Sequence, residues 1–256
     1  MRFLILGANF QNKGAQAMLF TAVSELRTMF PGCEMYFLSK EPPHEGYEFT
    51  FFYDLTGWDY LKGGRYSIKA IARIGYLKHL GYKNIIRNAK RFIKIMKSID
   101  AFVDISGYAL SSQRGVSRSI SFLNQIRVAQ RLKIPYFIMP QSIGPFDYGN
   151  KQKQMDKLLN RYLPYPAIIL PREEEGFKLL TEVYGLNNVK QSYDLVLQNK
   201  GLNLNNVVNS AYKNQIPELQ SSGNVAIIPN DRNFTYGNHD RYNNLYWNLI
   251  KRLQYD

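Results

Sequence analysis

The residues of this 256-residue chain whose types and spacing could do chemistry sit in short polar loops, each following an apolar run. The first loop, from Gly7 to Gln16, combines two glycines with the amides of Asn9 and Asn12 and opens a helix near Gly14. Backbone N–H groups and the helix dipole can hold an anion there. The loop matches neither the dinucleotide pattern nor the P-loop, and Asn12 reads equally well as a plain N-cap. The second is Asp104-Ile105-Ser106-Gly107-Tyr108, where Gly107 would let the backbone approach a ligand and Asp104 reads equally as a buried, hydrogen-bonded turn residue. The third, Pro140-Gln141-Ser142-Ile143-Gly144-Pro145-Phe146, is a stiff polar loop suited to aiming Gln141 and Ser142. In the fourth, Arg172 stands at a strand end ahead of Glu173, Glu174 and Glu175. A guanidinium there can clamp a carboxylate or phosphate at two points, while the acids suit a helix N-terminus without further explanation. Asp194 and the run Pro229-Asn230-Asp231-Arg232 complete the set.

Such loops need a scaffold that brings strand ends together. Residues 2–6 form a continuous apolar run, as a central parallel strand does. Helical periodicity starts at Gly14 and stops at Pro31-Gly32, and a second strand runs over 34–39, giving a βαβ unit. Residues 40–65 read as a loop, and 68–77 and 85–96 as amphipathic helices. Strands are expected over 100–105, 135–139, 167–170, 189–193 and 225–228, with helices over 116–132, 148–162, 173–184 and 241–253. The alternation predicts an α/β fold: a Rossmann-like, mainly parallel sheet with helices on both faces. Ligands then bind outside the carboxyl ends of the strands, where the loops converge. The expected organisation is a first domain over 1–197, a polar linker over 198–223 and the start of a second unit over 224–256.

Composition narrows the function classes. Hydrophobic residues make up 45% of the chain and charged residues 21%, which excludes wholesale disorder. One cysteine, Cys33, excludes an intramolecular disulfide and a multi-cysteine zinc site, and the three histidines lack metal-ligand spacing. No apolar run reaches the length of a membrane span, and the first residues lack the form of a signal peptide, so a cytoplasmic protein is expected. The net charge is +13, and residues 60–133 alone carry 16 Lys or Arg against Asp100 and Asp104. So localised a block points to an anionic partner, with a phosphorylated small molecule, the surface of an anionic membrane and nucleic acid as candidates, or else to a solvated helix face. Nucleic acid is not the expected partner.

The order of the motifs is more specific than any one of them. Asn12-x-Gly14-Ala15-x-Ala17-Met18, then Asp104-Ile105-Ser106-Gly107-Tyr108, Gln141-Ser142-Ile143-Gly144-Pro145-Phe146, Pro171-Arg172-Glu173, and Asp194 before Leu195 together resemble the polysaccharide pyruvyl transferase family. The resemblance runs from about Met1 to Arg232, and the segment from Gln141 to Phe146 is its most distinctive piece.

The resemblance implies the first half of a GT-B-like architecture, in which two Rossmann-like halves face a cleft. It implies transfer of a pyruvyl group from phosphoenolpyruvate to a pair of sugar hydroxyls in surface-polysaccharide synthesis, with no separate cofactor or metal. The acceptor would be a saccharide, lipid-linked in one version of this reading. Arg172, Asp104 and Asp194 are then candidate catalytic residues. Asn9, Asn12, Gly14, Ser106, Gly107, Gln141, Ser142, Gly144 and Arg232 are candidate substrate-binding residues. The chain departs from the family where Ser106-Gly107-Tyr108 replaces a glycine-rich run. A second-half basic motif with Arg and His also has no counterpart before Asp256, so a shortened second half is expected. The alternatives are a non-catalytic sugar- or anion-binding remnant of the fold and a nucleotide-sugar glycosyltransferase.

Overall fold

The computed structural model describes residues 1–38, 45–52, 79, 81, 83–214 and 237–253. Two compact units divide the chain, Met1–Gln215 and Ile216–Asp256. The second is described by one helix, His239–Leu253. The expected helix over 68–77, the expected strand over 225–228 and Arg232 lie outside the described residues.

The first unit is built on six parallel strands: β1 (Arg2–Leu6), β2 (Glu34–Leu38), β3 (Thr50–Phe52), β4 (Ala101–Asp104), β5 (Tyr136–Gln141) and β6 (Ile168–Pro171). Their order is β3-β2-β1-β4-β5-β6, and every pairing is parallel. The longer helices are α1 (Lys13–Met29), α2 (Lys83–Met96), α3 (Val116–Leu132) and α4 (Gln152–Tyr162). Alternation along the strands explains how both faces are covered. Phe3 and Ile5 of β1 pack with Met35, Phe37 and Val103 under Leu19 and Val23 of α1. Leu4 and Leu6 point the other way, with Phe102, Tyr136 and Ile138, into Phe92 and Met96 of α2, Leu123 and Ile126 of α3, and Met155 and Leu159 of α4. The sheet is thus Rossmann-like, with helices on both faces.

Two elements differ from the sequence reading. The stretch read as a loop contains β3, which is held by aromatic packing rather than by length. Its Phe51 ring lies 5.7 Å from Phe37 and 5.6 Å from Phe10, and Tyr47 and Phe49 join the same cluster. The strand expected over 189–193 reduces to a single parallel bridge between Ile169 and Val189. Tyr193 and Leu197 are exposed there, so no buried face holds a longer strand in register.

Two polar details fix the end of β4. The Asp104 side chain is fully buried. It accepts a hydrogen bond from Ser106 N–H at 2.9 Å and one from the Tyr136 hydroxyl at 2.6 Å. Burial nevertheless outweighs these bonds and raises its pKa above the ordinary 3.8. Next to it, Gly7 has φ +92°, and a Cβ at Gly7 would stand 2.6 Å from the backbone of Ser106.

Each detail predicts a stability effect. Because the folded state holds the Asp104 proton to higher pH than the unfolded chain does, the contribution of this group is fully present below pH 3.8 and is lost as pH rises through the raised folded pKa. Asn at this position keeps the acceptor for Ser106 and supplies a donor to Tyr136. Urea unfolding at a series of pH values should therefore show Asp104→Asn gaining on the wild type as pH rises, whereas parallel curves would leave the carboxyl without this shift. Gly7→Ala should cost about 2 kcal/mol or more, from backbone strain plus the clash with Ser106. Gly32, at φ +77° with open space around it, is the control: Gly32→Ala should show the strain alone, about 1 kcal/mol.

Candidate functional site

The strand order reverses its sense of growth between β1 and β4, and in such sheets the crevice outside that switch point is where ligands bind. A cleft of about 1140 Å³ opens there. It is lined by the loop after β1, the start of α1, the loops after β4 and β5, the turn after β6, and Asp194. The loops are stitched to one another beyond the sheet. Ser142 N–H donates to Gly107 O at 2.8 Å, Gly144 N–H to Leu110 O at 3.0 Å, and Arg172 N–H to Gln141 O at 3.1 Å. The rim is therefore an extension of the sheet's own hydrogen bonding, which limits how far any loop can drift.

Most of the residues singled out from sequence meet in this cleft. Asn9, Asn12, Gly14, Ser106, Gly107, Ser142, Gly144, Arg172 and Asp194 all line it. Asn9 and Asn12 act in series: the Asn9 side chain accepts from Asn12 N–H at 2.8 Å, and the Asn12 side chain caps α1 through Ala15 N–H at 3.2 Å. Both oxygens are thus occupied by the loop itself. Gly107 has φ +68° and crowds Met18, so a side chain there would meet the Met18 methyl at 2.9 Å.

Asp104 and Gln141 lie behind the wall rather than on it. Asp104 shares no surface with the cleft and fixes the turn at Ser106 from beneath. Gln141 is fully buried, and among the described residues neither its Oε1 nor its Nε2 has a partner. A register shift between Ile138 and Gln141 places this irregularity at the end of β5, so the loop presents Ser142 to the cleft and withdraws Gln141.

Arg172 is held on two sides. Its Nε donates to Pro140 O at 3.1 Å, and its Nη2 lies 2.6 Å from Asp194 Oδ2. Asp194 is fixed in turn, because Oδ1 accepts from Val196 N–H at 2.8 Å. Both side chains are partly exposed, at 21% and 28%. Among the described residues Nη1 of Arg172 has no hydrogen-bond partner. The guanidinium is thus aimed by its neighbours and half neutralised by one of them.

The structure adds residues that sequence reasoning passed over. Glu173 lines the cleft and accepts a hydrogen bond from the Ser142 hydroxyl at 2.7 Å, and Glu175 stands beside it. Their position at a helix start explained them too readily. Gln113, Arg114 and Arg118 also line the cleft. They belong to the basic block, whose charge drew attention to its length rather than to its position after β4.

Comparison with known proteins places this geometry. Neither the curated proteins nor the solved structures searched gave a match to this chain. The family model for polysaccharide pyruvyl transferases matches residues 12–254, which takes in every loop that forms the cleft apart from the first residues of the β1 turn. With nearly its whole length matched, the chain belongs to the polysaccharide pyruvyl transferase family.

Proposed function

We propose that the cleft takes part in pyruvyl transfer from phosphoenolpyruvate to two hydroxyls of a saccharide. The observation that carries this reading is the fixed guanidinium of Arg172 among hydroxyl- and amide-bearing loops, at the switch point of a chain in this family. In the reaction, a proton adds to the methylene carbon of the donor, and a sugar hydroxyl adds to the carbon bearing the phosphate. The bond from that carbon to the phosphate oxygen then breaks, and inorganic phosphate leaves with one hydroxyl proton, the other replacing the proton given to the methylene carbon. A second hydroxyl closes the ketal. Cations or N–H groups must hold the donor's two anionic groups, and acceptor hydroxyls need a carboxylate or hydroxyl to orient them.

The chain's own residues divide along these lines. Arg172 binds a donor anion through the part of the guanidinium that Asp194 leaves open. Asp194 acts as its positioning residue rather than as a base, since both of its oxygens are engaged. The amide Nδ2 groups of Asn9 and Asn12 are donors toward the same ligand. Ser142 and Glu173, already hydrogen-bonded to each other, form the polar pair for acceptor hydroxyls. Asp104 positions Ser106. Gln141 shapes the β5 turn.

A surface partner is also proposed. Helix α2 buries Phe92 and Met96 in the core and exposes Arg87, Lys90, Arg91 and Lys94, with Lys97 exposed just beyond it. Each basic residue near an anionic leaflet contributes about 1 kcal/mol, so this face can hold the protein where lipid-linked sugars are assembled. No described helix is long and apolar enough to cross a membrane.

Three experiments test these readings. Incubation with phosphoenolpyruvate and saccharide acceptors should release inorganic phosphate only when both are present, together with a pyruvylated product by mass. Arg172→Ala should weaken phosphoenolpyruvate binding by about 1.5–3 kcal/mol in calorimetry. Unchanged affinity in a folded variant would assign Arg172 to its ion pair with Asp194 alone. Sedimentation with vesicles should show binding to anionic but not neutral lipid, fading as salt shortens the screening length toward about 3 Å at 1 M. Equal binding to both vesicle types, or none at low salt, would remove the membrane reading.

A further inference from the structure

We infer that Arg114 and Arg118 form a second anion subsite in the cleft, separate from Arg172 and shaped for a phosphate or diphosphate group. This rests on the cleft being a ligand site but not on which reaction occurs there. The two guanidiniums lie on a 3₁₀ turn (Ser112–Arg114) and on the first turn of α3, and both line the cleft. Among the described residues neither makes an ion pair. Nε of Arg114 is buried, and among the described residues it has no hydrogen-bond partner. Burial first, and the neighbouring Arg114 charge second, lower the Arg118 pKa. Two unneutralised cations lining one stretch of the cleft gain most from a ligand that carries two negative charges.

The turn that carries them is rigidly built. Ser111 is fully buried, and its hydroxyl accepts from Gln113 N–H at 3.1 Å. The Ser119 hydroxyl donates to Ser111 O at 3.1 Å and accepts from the Tyr148 hydroxyl at 2.9 Å. Tyr108 donates to Gln113 Oε1 at 2.6 Å, and the Arg114 guanidinium lies 5.7 Å from the centre of its ring. Buried hydroxyls thus hold the turn, and an anchored tyrosine ring steers Arg114. Gly115 precedes α3 with no side-chain cap, so the first N–H groups of the helix add to the same positive field.

Charge accounting across the cleft separates this subsite from the rest. Arg172 is paired with Asp194, while Glu173 accepts from the neutral Ser142 hydroxyl and keeps its negative charge. Glu175 is the remaining acid of the lining, and among the described residues neither it nor Glu173 makes an ion pair with Arg114 or Arg118. Three arginines and three acids line the cleft, so the unpaired positive charge lies with Arg114 and Arg118, after β4, and the unpaired negative charge with Glu173 and Glu175, after β6. Tetrahedral phosphate oxygens match two guanidinium forks better than one planar carboxylate does. The cleft, at about 1140 Å³, exceeds the space a three-carbon donor fills, so the phosphate can come from the donor or from a diphosphate that carries the acceptor sugar.

Calorimetry with the full chain separates the sources. The ligands are phosphoenolpyruvate, a nucleoside diphosphate-glucose and pyruvate; the proteins are wild type, Arg114→Gln, Arg118→Gln and the double variant. Each single change should weaken binding of at least one phosphorylated ligand about 10-fold, and the double change about 100-fold, with pyruvate binding unaltered. Lys at both positions, which keeps the charge but not the fork, should restore part of the loss. A loss confined to phosphoenolpyruvate assigns the subsite to the donor, and one confined to the sugar diphosphate assigns it to the acceptor. If wild type binds the sugar diphosphate through these arginines and does not bind phosphoenolpyruvate, the subsite stands and the pyruvyl-transfer reading falls. Undiminished binding of both phosphorylated ligands by a folded double variant overturns the inference.

Discussion

Everything at the cleft depends on how closely two backbones approach at the switch point of the sheet. β1 and β4 are neighbours, yet the chain leaves β1 toward one face and leaves β4 at the place where the strand order turns outward. Gly7 and Ser106 must pass each other there with no room for a Cβ. That constraint selects glycine at position 7 and holds Ser106 against the β1 loop. It also sends the chain after Gly7 over the top of the sheet into α1, which brings Asn9, Asn12 and Met18 to the same opening as Gly107. A looser turn would separate the amide loop from the rest of the rim.

From that point the rim propagates outward by backbone hydrogen bonds, from the β4 loop to the β5 loop and on to Arg172. Side chains then aim what the backbone has placed. Asp104 secures the Ser106 turn from below, in a setting where burial and hydrogen bonding oppose each other in their effect on its charge. Asp194 and Pro140 aim Arg172 from the side. In both cases a carboxylate acts on the cleft through a neighbour. A buried or paired carboxyl is a better anchor than a base, because its oxygens are already committed.

Much of the fold was legible in the sequence because parallel strands buried on both faces are unbroken apolar runs, and the loops after them are punctuated by glycine and proline. β1, β4, β5 and β6 all have this form. β3 was not legible. Three residues in a polar, proline-containing stretch carry too little pattern, and the strand exists because Phe49 and Phe51 reach an aromatic cluster built from distant parts of the chain. The edge segment near Val189 failed in the opposite way, with a strand-like composition but no second partner to bury it. At the site, residue types that bind ligands were recognisable, but which of two adjacent residues faces the cleft was not. The register shift at the end of β5 decides between Gln141 and Ser142, and no local sequence signal announces it. Arg114, Arg118 and Glu173 were hidden by sufficient ordinary explanations, a basic block for the first two and a helix dipole for the third.

The distribution of charge in the cleft follows from these placements. Positions after β6 bring an arginine and acids together at one short helix start, and with Arg172 paired to Asp194 that end of the cleft carries the negative charge of Glu173 and Glu175. The positions after β4 bring arginines to the start of a long helix and no acid, so that end stays positive. An anion entering the cleft meets a field directed toward α3, while Arg172 offers a fixed but partly spent charge. A substrate with one dianionic group and one weaker anionic or polar group would be oriented by that asymmetry alone, before any side chain moved. Orientation of this kind is what transfer between two bound partners requires, because the reacting atoms must be held in line more than they must be held tightly.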